Sequence, residues 1–169
     1  MKVALALVSV GASALVGAGV ALSGPAQAAT AVPQATAERT NFDWARLMLR
    51  DGGWPTSNNN VTVVTRWMDS EEPASDWYDR NNPLNNGLGS GGGAGLGAYK
   101  NLVIAAHYAA ENLKGSSYRA VAADFTSSAS IATTERAIWD SPWASSHYGY
   151  GKLWHSGSVP TVAAPASRW

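Results

Sequence analysis

Cysteine is absent from the 169 residues. That excludes disulfide scaffolds, thiolate metal sites, cysteine nucleophiles and lipid-anchored cysteine. Charge is scarce and balanced, with 12 Lys+Arg against 12 Asp+Glu and 14% of residues charged. Without a basic excess the chain lacks the electrostatic footprint of nucleic-acid binding. The three histidines, His107, His147 and His155, share no ligand spacing such as i, i+4, so no metal site is expected. No serine sits in a G-x-S-x-G turn, and the stretch Gly87–Gly97 lacks the Lys-Ser/Thr of a phosphate loop. Nucleotide binding is therefore not expected, nor any other cofactor. Phenylalanine is rare, two residues against eight Trp and six Tyr. Trp and Tyr carry a polar edge and suit half-wet surfaces such as carbohydrate clefts, although ordinary core packing fits the composition equally well.

There is one long apolar run, Val3–Leu22. It follows Met1-Lys2 and leads into Ser23-Gly24-Pro25 and Ala26-Gln27-Ala28. A positive start, an apolar stretch, a helix breaker and an A-x-A site form the order of a secretory signal peptide. Residues 1–28 are read as that peptide, cleaved after Ala28. Its removal takes away Lys2 and no acid, leaving 11 basic and 12 acidic residues and a net charge of −1. The expected product is secreted, extracellular or associated with a cell wall, with no membrane contact after cleavage.

Residues 29–40, rich in Ala, Thr and Pro, read as a disordered spacer, and residues 157–169 as a flexible tail. A single folded domain is expected over residues 41–156, long enough for a core of ordinary size. Within it the apolar spacing is helical and no period-2 strand of useful length stands out, so the class is mainly α. A first helix opens at Asn41 and stops at Gly52-Gly53. Ser57 caps a second, which carries Val61, Val64, Trp67 and Met68 and ends before Pro73. The longest helix is expected over Ala98–Lys114, then one over Tyr118–Phe125, then one capped by Ser128 or Ser130 and running through Trp139. A short helical piece is expected around Lys152-Leu153-Trp154. Ser75–Gly97 reads as a long irregular segment, and its aromatics and asparagines point to a functional loop rather than a linker.

The second helix ends on two carboxylates, and helical phase separates them. With Val61 at zero and about 100° per residue, the apolar stripe centres near −70°, Glu71 lies at about −80° and Glu72 at about +20°. Glu71 thus points with the buried face, at the helix end that carries negative dipole charge. Burial and the dipole both work against the charged form of a carboxyl so placed, which is what a general acid at neutral pH requires. The plainer alternative is a helix that frays at Ser70 and leaves both carboxylates in water.

A resemblance sharpens this reading. Trp67-Met68-Asp69-Ser70-Glu71, then Asn82-Pro83-Leu84-Asn85, then a Gly-Ala-Tyr helix start, and finally Ala137-Ile138-Trp139-Asp140-Ser141-Pro142-Trp143-Ala144 follow one another. That order resembles the lysozyme-like peptidoglycan hydrolases of actinobacteria and their phages. The late segment through Tyr148 is also similar to the corresponding segment of bacterial β-N-acetylglucosaminidases. The match spans about residues 43–148. It implies a small lysozyme-like helical domain, a glycosidase or lytic transglycosylase acting as a monomer on the β-1,4 linkage of peptidoglycan glycan strands. On this resemblance Glu71 takes the general-acid position, with Glu72 as the alternative. Asn82 and Asn85 match the loop after the acid, and Tyr148 matches the late cleft tyrosine. The chain departs from the pattern at Ala144, where Gly is common, and in a longer interval from Glu71 to Asn82 that inserts Trp77-Tyr78. Asp76 and Asp79 are the candidates for a second carboxylate, although the sugar's own acetamido group can take that part. Trp77, Tyr78, Trp143 and Tyr148 are candidates for stacking on sugar rings. The competing reading is a secreted protein of the same fold that binds peptidoglycan or serves at the cell surface without catalysis.

Overall fold

The computed structural model describes residues 39–92, 97–144 and 147–169. The expected signal peptide and residues 29–38 of the expected spacer lie outside them. The described residues form five α-helices and no strand: α1 Asn41–Gly52, α2 Asn58–Glu71, α3 Leu102–Leu113, α4 Arg119–Ser127 and α5 Ile131–Trp139. None is long and apolar enough to cross a membrane.

Local chemistry sets the helix ends. Thr40 accepts the Asp43 N–H at 3.3 Å, and the Asp43 carboxylate accepts the Thr40 N–H at 3.0 Å, a reciprocal cap on α1. Thr40 therefore belongs to the fold rather than to a spacer. Gly53, at φ 79°, supplies the left-handed residue that closes α1. Ser57 caps α2 and Ser130 caps α5. α3 begins four residues later than the sequence suggested, because Asn101 caps it by accepting the Ile104 N–H at 2.9 Å. Ahead of that cap the Tyr99 ring is buried outside the helix. The longest helix is consequently α2, with 14 residues, and not α3, with 12. α4 starts at Arg119, after a 3-10 turn at Ser116–Tyr118. The helical piece expected around Lys152–Trp154 is instead a 3-10 turn at Gly149–Gly151.

α1 packs chiefly on α3, α2 on α1 and α5, and α4 on α5. Their shared core holds Trp44, Met48, Trp67, Leu102, Leu113, Phe125 and Ile138, all essentially inaccessible to solvent. Buried polar groups lock the helices together. Trp44 Nε1 donates to the Leu102 carbonyl at 2.9 Å, joining α1 to α3. Asn60 Nδ2 donates to the carbonyls of Phe125, at 2.7 Å, and Pro55, at 2.8 Å, joining α2 to α4. Glu135 on α5 accepts from Arg66 on α2 and from Trp154 Nε1, each at 3.0 Å. Such groups hold structure because leaving them unpaired in the interior is costly.

Residues 157–169 are not a flexible tail. The backbone pairs antiparallel at Thr40 and Ala163. Asn41 donates its amide to the Pro160 carbonyl at 2.9 Å and accepts the Val162 N–H at 3.1 Å. Trp77 Nε1 donates to the Val162 carbonyl at 3.0 Å, the Trp169 ring meets Trp77 edge-on, and Arg39 lies over Trp169. The segment is poor in large apolar residues, so its docking rests on main-chain hydrogen bonds supplied by partners far away in sequence. Replacing Asn41 by Ala should cost about 2 kcal/mol, because two bonds go and the Val162 N–H is left without its acceptor. Urea unfolding measures this, and a loss below about 0.5 kcal/mol would mean the strap is not held through Asn41.

Candidate functional site

Glu71 is the last residue of α2 and Glu72 is its cap. Their side chains are exposed to different degrees, 5% for Glu71 and 25% for Glu72. Glu72 is bound to Arg80, with Nη2 to Oε1 at 2.7 Å. Glu71 is gripped from two directions. The Tyr148 hydroxyl donates to its Oε1, and Asn85 Nδ2 donates to its Oε2 at 3.1 Å. The His147 ring, itself exposed, stands 3.9 Å from Oε2.

Each donor is held by a further group. The Tyr148 oxygen accepts Trp67 Nε1 at 2.8 Å, so its own proton is free to point at Glu71. Burial first, and the nearby Glu71 charge second, push the Tyr148 hydroxyl far above the ordinary tyrosine range. The phenol therefore keeps its proton at any physiological pH. Its ring packs edge-on against Trp154, with centroids 5.0 Å apart. Asn85 is held at Oδ1 by Arg80 Nη2 at 2.6 Å. A continuous chain of hydrogen bonds thus runs Glu72–Arg80–Asn85–Glu71–Tyr148–Trp67.

The loop that delivers Asn85 is built from the other asparagines. Asn82 is 1% exposed; its Oδ1 accepts the Asn86 N–H at 2.9 Å and its Nδ2 donates to the carbonyls of Asn86 and Gly97. Asn81 donates to the Tyr99 carbonyl at 2.9 Å, and Asn86 donates to the Tyr99 hydroxyl at 2.9 Å. Burial pushes that hydroxyl up to about 12. Arg80, Asn81 and Asn85 all adopt left-handed backbone, with φ between 47° and 53°. Asparagine tolerates that region better than most residues, and arginine does not.

The structure thus separates residues that the sequence grouped. Asn85 faces Glu71, whereas Asn82 is enclosed in the loop scaffold and has no free amide for a ligand. Trp77 is 1% exposed and bonded to the C-terminal strap, so it is a core residue and not a stacking platform. Tyr148 is 2% exposed and meets Glu71 through its hydroxyl, which removes its ring face from a stacking role. Trp143 and Tyr78 are partly buried: Trp143 packs on Trp67 and Tyr118, and Tyr78 on Trp77 under Arg168. Asp76 and Asp79 are exposed, and neither joins the network around Glu71. Sequence reasoning passed over Arg80, His147 as a neighbour of Glu71, and Tyr150. The last is 73% exposed at φ 56°, two residues beyond Tyr148. A cavity of about 350 Å³ between α4 and α5, lined by Tyr118, Asp124, Arg136 and Asp140 among others, contains none of the nominated residues.

No family model matches the chain, and no curated protein or solved structure is significantly similar to it.

Substituting Asn82 by Ala should cost about 2–3 kcal/mol in urea unfolding, since buried main-chain groups lose their partners. Any activity should then fall only as far as the folded fraction falls. An undiminished unfolding midpoint would contradict the scaffold role.

Proposed function

We propose that this is an exported, lysozyme-like enzyme, a glycosidase or lytic transglycosylase that cleaves the β-1,4 linkage of peptidoglycan with Glu71 as general acid. One observation carries the reading. An enclosed carboxyl stands at the end of α2, with one donor fixed on each oxygen. In glycoside cleavage the acid gives its proton to the leaving oxygen as the C–O bond breaks and positive charge develops on the sugar. Glu71 is then left as a carboxylate. Tyr148 and Asn85 are already aimed at the two oxygens where that negative charge appears, so nothing has to reorganise as it forms. The cationic sugar is captured by water or by one of its own hydroxyls, depending on whether the outcome is hydrolysis or transglycosylation, and the proton that the attacking oxygen loses returns to the Glu71 carboxylate. Asp76 or Asp79 would reach the sugar from the loop as a second carboxylate; otherwise the substrate's acetamido group stabilises the cation. Tyr150, exposed and two residues beyond Tyr148, is the candidate for stacking on a sugar ring in place of the buried Trp77 and Tyr148. No cofactor enters the scheme.

The alternative, a wall-binding protein of the same fold without catalysis, has one point in its favour. Both Glu71 oxygens are occupied by protein donors, as they would be in a purely structural network. Release of products from purified cell-wall glycan decides between the two. Glu71→Gln should lower turnover by at least roughly 10²-fold while the circular dichroism spectrum is kept, because general acids typically contribute 10²–10⁴-fold. Glu72→Gln should stay far more active. A wild-type protein that binds the glycan and never cleaves it would establish the alternative, and a fully active Glu71→Gln would remove Glu71 from the acid role.

A further inference from the structure

A side-chain amide has two ends of similar shape and opposite character, and a half-turn exchanges them. Asn85 supports Glu71 only with its NH2 end toward the carboxyl; the reverse orientation would set carbonyl oxygen against carboxylate oxygen. Arg80 removes the ambiguity. A guanidinium donates and never accepts. Its Nη2, 2.6 Å from Asn85, must therefore face Oδ1, which leaves Nδ2 directed at Glu71 Oε2. Glu72 in turn holds the guanidinium through the same nitrogen at 2.7 Å.

Arg80 occupies its place against its own backbone preference. Its φ of 53° and ψ of 10° are left-handed, where glycine is at ease and a long side chain is strained. Its buried Nε has no hydrogen-bond partner among the described residues. Strain of this kind collects where a side chain is needed for more than the fold. We infer that Arg80 is a positioning residue: held by Glu72, it fixes the Asn85 amide so that its donor end meets the Glu71 carboxyl. The inference rests on the reading of Glu71 as the reacting carboxyl. It also gives Glu72 a part distinct from that of an alternative acid.

The experiment uses the full chain with Arg80→Gly, Arg80→Lys, Asn85→Leu and the Arg80→Gly/Asn85→Leu double variant. Glycine suits the left-handed backbone, so Arg80→Gly should leave Tm within a few degrees of wild type. It should nevertheless lower kcat on cell-wall glycan by roughly 10- to 100-fold with KM nearly unchanged, as a small misplacement at a reacting group does. Arg80→Lys, which keeps a donor-only cation, should recover part of the loss. Asn85→Leu should lower kcat to a similar degree. Adding Arg80→Gly to it should cost no more than about twofold further, because residues acting through one another are not additive. A readout independent of turnover is the side-chain NH2 signal of Asn85 in a ¹⁵N spectrum. It should exchange slowly with solvent in the wild type and rapidly in Arg80→Gly. An unchanged kcat in Arg80→Gly, two independent and multiplicative losses, or an unaltered Asn85 amide signal would each overturn the proposal. Should Glu71→Gln prove fully active, the acid assignment fails by itself, and the amide signal still decides whether Arg80 orients Asn85.

Discussion

A carboxyl withdrawn from water at the C-terminal end of a helix is an electrostatic problem that the rest of this site is arranged around. The end of α2 presents main-chain carbonyls and negative dipole charge, so α2 itself offers Glu71 nothing favourable. Its donors have to arrive from elsewhere. They come from Tyr148, 77 residues further along, and from Asn85, 14 residues along. Neither is held by α2 main chain. Tyr148 is anchored by Trp67 and Trp154, and Asn85 by Arg80 and an asparagine-built loop. Where the loops go is thus tied to satisfying a single carboxyl, and the polar groups behind each donor form an outer layer of the same network.

The loop over residues 73–90 holds its shape with little regular secondary structure, a 3-10 turn at Asp79–Asn81. Asn82 and Asn86 close its turns by giving both ends of their amides to main chain or to Tyr99, and Asn81 gives its NH2 end to the Tyr99 carbonyl. Leu84 drops into the core and Trp77 ties the loop to the strap formed by residues 159–169. The strap reaches the loop a second time through Arg168, which lies over Tyr78 and donates to Asn81 Oδ1 at 3.4 Å. A segment with the composition of a disordered tail therefore supports, two contacts removed, the residue that faces Glu71.

What could be read in the sequence follows from the range of the interactions involved. The five helices, the Ser57 cap and the stop at Gly53 depend on neighbours within a few residues, and local pattern carries them. The later start of α3 depends on Asn101 capping and on Tyr99 turning away to the loop, a choice made by tertiary partners. Asn82 and Asn85 are chemically identical in sequence and differ only in which one the folded loop encloses. Composition made 157–169 look unstructured, because main-chain pairing with Thr40 and Asn41 leaves no mark in hydropathy. Arg80 was hidden for a further reason. Its role comes from a left-handed backbone that no residue pattern announces, in a stretch where asparagine was the visible signal.

The two adjacent glutamates show how context divides identical side chains. One residue of separation turns Glu72 out of the helix and toward Arg80, where a cation at 2.7 Å keeps its charge matched. Glu71 faces inward and meets two donors that carry no net charge. Glu72 is committed to an ion pair with Arg80, whereas both oxygens of Glu71 are held by the uncharged side chains of Tyr148 and Asn85. On the proposed reading this is why the acid is Glu71, and why the neighbouring glutamate is better used at one remove. On the same proposal Glu72, through Arg80 and Asn85, helps orient the donor on Glu71, while its own carboxylate stays out of the reaction.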